Sequence, residues 1–206
     1  MKKNNLTLLL LLLNAVLLIG IIFLLAFNYF KDSGETKEKS SSQSVVAKKE
    51  VTPELLQKKL DAQDVSIQSG KYIEQRGELN TLYPDLLSAV VKNNSDKEIK
   101  RIMIGFVAWD AGGNPVKLKA NFDIHKDYYF PAESDELSMK PGDEYGRKNG
   151  LPLDEKVKVA SFKAIVEQYE DVDGKVWDNP ELREFKKMYV GKKLSEIENA
   201  DKYIYE

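Results

Sequence analysis

The chain has 206 residues, 31 Lys and Arg against 33 Asp and Glu, one His and no Cys, for a formal net charge of -2. The missing Cys excludes disulfide scaffolds, thiol catalysis, iron–sulfur clusters and cysteine-based zinc sites, and the single His excludes any site built on two imidazoles. The charge balance lacks the basic field of a nucleic-acid binder, so no nucleic-acid partner is expected.

Residues 1–5 form a short N-terminal tail carrying Lys2 and Lys3. Residues 6–30 hold no charged side chain, and only Thr7, Asn14 and Asn28 are clearly polar. At about 1.5 Å per residue the run reaches roughly 37 Å, more than the ~30 Å hydrocarbon core of a bilayer. It exceeds the ~7–15 residues usual for the apolar part of a cleaved leader. Its end, Leu25-Ala26-Phe27-Asn28-Tyr29-Phe30, offers no small-residue cleavage pattern. The expectation is an uncleaved transmembrane signal-anchor helix over 6–30 that contacts membrane lipid, with Tyr29 and Phe30 at the interface. Met1-Lys2-Lys3 resembles a signal n-region, which puts the N-terminus in the cytoplasm and the rest outside. Lys31, Lys37, Lys39, Lys48 and Lys49 follow the run, but a long downstream domain translocates despite its charges.

Without Lys2 and Lys3 the remainder has 29 basic and 33 acidic residues, a net charge of -4. Residues 31–50, rich in Ser, Lys and Glu and free of aromatics, read as a flexible stalk. The folded domain is expected over 51–193. It opens with Thr52-Pro53-Glu54, which has the grammar of a helix start: a capping hydroxyl, Pro at the first position, an acid in the first turn. Leu55, Leu56 and Leu60 then fall near one face, and the helix is expected to end near Asp64.

From there the pattern turns strand-like. Candidate strands lie at 65–72, 86–91, 102–109, 116–122, 136–139, 162–166 and 175–177. Ile102, Ile104, Phe106 and Ala108 form one face of the third. Met103, Val107 and Trp109 form its other face, so that strand is expected to be central and covered on both sides. Val116, Leu118, Ala120 and Phe122 alternate with Lys117, Lys119 and Asn121, which predicts one wet face. Turn signals at 93–96, 111–115, 140–143 and 173–174 separate the strands. Asn179-Pro180-Glu181 repeats the helix-start grammar, and Leu182, Phe185 and Tyr189 give an apolar stripe running to Gly191. This helix is expected to dock near Trp177 and seal one end of the core. The tail, 194–206, carries no assignable element. The fold class expected is mainly β: an antiparallel immunoglobulin-like β-sandwich with short flanking helices, preceded by one transmembrane helix.

The segments LYPDLLSAVVKNNSDKEIKRIMIGFVAWDAGGNPVKLK (82–119), KPGDEYG (140–146) and LPLDEKVKVASFKAIVEQYEDVDGKVWDNP (151–180) resemble an uncharacterised bacterial domain-of-unknown-function family over roughly 57–193. The resemblance implies a Gram-positive source, a membrane anchor, an immunoglobulin-like sandwich and a cell-envelope setting. It supplies no catalytic or ligand residues.

Chemistry-bearing motifs are few. Asp123, His125 and Asp127 would share one face of a straight strand, within reach of a divalent cation, and support the alternative of a metal-dependent hydrolase. A solvated loop explains them as well, and no metal site is assigned. Asp171-x-Asp173-Gly174 lacks the later ligands of a calcium loop and reads as a hairpin turn. Glu133, Asp135 and Glu136 read as a solvated acidic loop. No G-x-S-x-G, P-loop or G-x-G-x-x-G is present. Tyr128, Tyr129 and Phe130 cannot all enter one core, which makes this run the candidate ligand-binding site. No catalytic residue and no cofactor is expected. The function expected is a non-catalytic, single-pass cell-membrane protein whose extracytoplasmic domain binds a protein or cell-wall partner or has a structural role. A sensor or accessory subunit of a membrane complex is the further alternative.

Overall fold

The computed structural model describes residues 51–75, 83–120 and 122–206. The chain divides into two units, Met1–Lys48 and Lys49–Glu206, and the described residues belong to the second. The expected anchor at 6–30 and stalk at 31–50 lie outside the described residues. No described helix is long and apolar enough to cross a membrane.

The body is mainly β, with antiparallel sheets and two short helices. In chain order the elements are α1 (Pro53–Asp61), β1 (Val65–Ile73), β2 (Leu86–Asn93), β3 (Ile99–Trp109), β4 (Pro115–Val116), β5 (Phe130–Ser134), β6 (Glu144–Tyr145), β7 (Leu151–Pro152), β8 (Ser161–Asp171), β9 (Val176–Asp178) and α2 (Leu182–Tyr189). Two 3₁₀ turns, Leu194–Glu196 and Ala200–Lys202, follow. One sheet runs β1-β2, with β6 and β7 on the far edge of β2. The other runs β3-β8-β9, with β4 and β5 sharing the free edge of β3.

β3 and β8 are the spine. They pair from Ile99↔Asp171 to Trp109↔Ser161, with irregularities after Ile99 and Met103. Alternation sends Ile102, Ile104, Phe106 and Ala108 of β3, and Phe162, Ala164 and Val166 of β8, into a core shared with Leu87, Ala89 and Val91 of β2. The opposite face of β3 and β8 supplies Val107, Trp109 and Ile165 to a second core roofed by Leu56, Leu60, Phe185 and Tyr189 from the helices. Both faces of β3 are covered, as its two apolar faces predict.

The helix grammar operates locally. The Thr52 hydroxyl accepts the Leu55 N–H at 3.3 Å, and Leu56 and Leu60 are buried. α1 stops at Asp61, short of the expected Asp64, because the chain turns there into β1 and the Asp64 carbonyl accepts the Asn94 N–H at 2.7 Å. Asn179 caps the turn leading into α2: its side-chain oxygen accepts the Glu181 N–H at 2.9 Å. α2 docks through Phe185 and Tyr189, and the Tyr189 ring meets Trp109 edge-on at 6.3 Å. The expected neighbour, Trp177, instead stacks on Tyr169 at 5.0 Å and packs against the inter-sheet core. The helix therefore covers the outer face of the β3–β8 sheet and not one end of the core.

The candidate strand at 116–122 shortens to β4. The edge of β3 that it would follow, from Phe106 to Ile102, is occupied by β5. Leu118 pairs instead with Asp127, and Ala120 with Leu153. Phe122 has φ 65° and is 96% exposed, the reverse of its expected inward position. At 136–139 Met139 bridges Ile99 and the Leu137 N–H donates to the Lys100 carbonyl at 2.8 Å, without a continuous strand.

Candidate functional site

The aromatic run 128–130 is pulled in three directions. Tyr129 lies over the outer face of β3, where a Cβ on Gly105 would collide with its ring. Its hydroxyl donates to Glu167 Oε2 at 2.5 Å, and Lys186 Nζ sits 4.0 Å from the ring centroid. Burial, then the Glu167 carboxylate, pushes the Tyr129 hydroxyl well above the usual phenol range. Phe130 opens β5 opposite Phe106 and packs against the inter-sheet core. Tyr128 stays half-buried at the surface, with Lys117 Nζ 5.1 Å from its ring centroid.

Phe130 also lines a cleft of about 290 Å³ between the two sheets, alongside Ala89, Ile104, Phe106, Ser134 and Tyr145. Asp123, Glu133 and Asn149 also line it, so its walls are mixed in polarity. At the rim, Ser134 Oγ and Tyr145 OH share a hydrogen bond of 2.9 Å.

Asp123, His125 and Asp127 fall in the loop after the Ala120 bridge. Asp123 Oδ1 accepts the His125 N–H at 2.9 Å, and Asp127 Oδ1 accepts the Tyr128 N–H at 2.6 Å. The His125 backbone bond, the largest cause, holds the Asp123 carboxyl below its ordinary range. The three side chains are not brought to one cation position, and among the described residues no group of three or more His, Asp or Glu could hold a metal ion. Asp171 Oδ1 accepts the Asp173 and Lys175 N–H groups at 2.9 and 3.0 Å, and Gly174 has φ 82°, which makes a hairpin turn. Asp173 pairs with Lys97 at 2.7 Å.

The least expected group is Lys163. It lies on β8 between the inward Phe162 and Ala164, a position that reads as a wet face, yet it is only 1% exposed. The helix layer and the closing segment bury it. Its Nζ donates to Gln57 Oε1 at 2.6 Å and to the Tyr203 carbonyl at 2.5 Å. The rings of Tyr189, Tyr203 and Tyr205 stand 5.4, 5.9 and 5.9 Å away. Desolvation brings its pKa down to about 8, against a smaller opposing pull from Asp61. The buried Tyr189 hydroxyl has no hydrogen-bond partner. No local sequence signal marks a buried Lys. The one available hint is the late cluster of Tyr203, Ile204 and Tyr205.

These features define a mainly β domain of antiparallel sheets with a cleft between the two sheets. The chain belongs to a family of unknown function, DUF5780, whose model matches residues 86–192. That range starts at β2, later than the resemblance read from 57, so α1, β1 and the segment after α2 lie outside it. The fold is similar to the X-ray structure of a hypothetical protein from Peptoclostridium difficile 630, at TM-score 0.52 and 15% identity, over 64% of this chain and 93% of that one. No curated protein matches the chain.

Proposed function

We propose that this is a non-catalytic, single-pass protein of a Gram-positive cell envelope, whose extracytoplasmic domain binds a protein or cell-wall partner. The observation that carries the reading is the charge-free run at 6–30, set before a Ser/Lys/Glu-rich segment and a separate β-rich body. Two antiparallel sheets around one core, spined by β3 and β8, support an immunoglobulin-like form for that body. Tyr128 is assigned to the binding surface and Phe130 to the wall of the cleft, with Tyr129 fixing the run from behind. Detergent extraction of the tagged full chain from membranes, after mild cross-linking, is expected to recover a stoichiometric partner that a Tyr128→Ala, Phe130→Ala chain retains poorly. Recovery of the full chain alone, with no partner lost on substitution, contradicts the reading. The metal-dependent alternative makes a different demand. Chelation should then lower the melting temperature of the parent but not of a His125→Ala chain, whereas a non-metal protein shows no shift in either.

A further inference from the structure

The segment after α2 ends on residues that close the open side of the body. Tyr205 exchanges both backbone hydrogen bonds with Phe162 of β8, its N–H donating at 2.8 Å and its carbonyl accepting at 2.9 Å. The Glu206 carbonyl accepts the N–H of Tyr72 in β1 at 3.3 Å. β9 pairs with β8 only at Gln168, Tyr169 and Glu170. The segment 203–206 thus occupies the β8 edge that β9 leaves free and spans to the other sheet. Its side chains alternate like those of a strand. Tyr205 packs into the inter-sheet core, 5.4 Å from the Phe162 ring, and Ile204 packs against the helix-side core. A Cβ on Gly70 would strike the Tyr205 ring. The ring therefore has a fitted socket, and the neighbouring Tyr203 carbonyl is gripped by buried Lys163.

A backbone edge, an aromatic socket and a buried donor aimed at a peptide carbonyl are the parts of a site for an added strand. The resident segment fills the slot as an added strand would. Three backbone bonds fix it, and it follows a turn through Asn199, whose φ of 50° breaks the path from the rest of the fold. Phe162 and Lys163 of the slot lie inside the range matched by the family model, and Gln57, Gly70, Tyr72, Tyr203 and Tyr205 lie outside it.

We propose that the slot between β1 and β8 is a strand-acceptor site for an extended protein segment with aromatic residues two apart, and that residues 203–206 are its resident competitor. The proposal deepens the partner-binding reading and does not depend on the membrane anchor. A labelled peptide of residues 200–206, ADKYIYE, is titrated into the full chain and followed by fluorescence anisotropy. The parent should bind it weakly, because the tethered segment competes at an effective concentration on the order of millimolar. A full chain with Tyr205→Ala should bind it at least about tenfold more tightly. Adding Gly70→Val to that chain should abolish the gain, as should replacing the second Tyr of the peptide by Ala. No binding to a folded Tyr205→Ala chain, or binding indifferent to Gly70→Val, overturns the proposal. Should Tyr205→Ala fail to fold, hydrogen exchange on the parent decides. The amides of Phe162, Tyr72 and Tyr205 should exchange at least about a hundredfold faster than those of the β3–β8 ladder, and equal protection overturns it. A membrane partner still captured by a Gly70→Val chain would leave the envelope reading standing and refute the slot.

Discussion

Replacing Lys163 by Met removes a buried charge while keeping most of the side-chain volume. A pKa of about 8, against an ordinary 10.5, means that the fold disfavours the ammonium by about 3 kcal/mol at neutral pH. The substitution also strips a donor from Gln57 Oε1 and from the Tyr203 carbonyl, at about 1 kcal/mol each. Lys163→Met should therefore stabilise the body by about 1 kcal/mol at pH 7. The sign then changes with pH. Because the folded pKa lies below the unfolded one, the unfolded chain holds the extra proton between about pH 8 and 10.5, and stability from this group rises through that window. The charge penalty shrinks to about 2 kcal/mol at pH 9 and below about 1 kcal/mol at pH 10, where the parent should be the more stable. Burial lifts the Tyr205 hydroxyl to about 12, so the tyrosines act the other way, losing stability above pH 10, but they do so in parent and variant alike. Urea melts of both chains at pH 7, 8, 9 and 10 test this. A parent more stable than the variant by over ~2 kcal/mol at every pH would refute the buried-charge argument.

Phe185→Ala empties a fully buried aromatic site between α2 and the outer face of β3 and β8, and should cost roughly 3–5 kcal/mol in the same melts. A loss below ~0.5 kcal/mol would mean that the helix does not dock. Tyr189→Phe deletes a buried hydroxyl that bonds to nothing, so it should be neutral or stabilising by up to about 1 kcal/mol, and a clear destabilisation would reveal an unrecognised partner for that oxygen.

The spine of the fold was legible because its signals are local. β3 carries two apolar faces, β1, β2 and β8 lie between turn residues, α1 opens on a cap, a Pro and an acid, and the same three residue types precede α2, which starts at Leu182. The failures have non-local causes. The alternation at 116–122 is sound as a pattern, but β5, arriving from later in the chain, takes the edge that strand would need. α2 docks on Trp109 and not on the expected Trp177, because nothing in sequence distinguishes the two faces of the β8–β9 hairpin. Lys163 and the closing segment escaped for the same reason: burial of an amine depends on α1 and on residues 203–206, far from it in sequence. The aromatic run 128–130 was recognised as unable to share one core, and its three rings do go to three places. Which ring went where depended on Gly105 and Glu167, neither of which is near the run in sequence.

Protease shaving of intact cells tests the central proposal most directly. An envelope-anchored binding domain predicts that the full chain sediments with membranes and resists alkaline extraction. It also predicts that protease added outside the cells cuts within 31–50 and releases the folded body, residues 51–206, into the medium. A full chain recovered in the soluble fraction without detergent, or a body that external protease cannot reach, would contradict it.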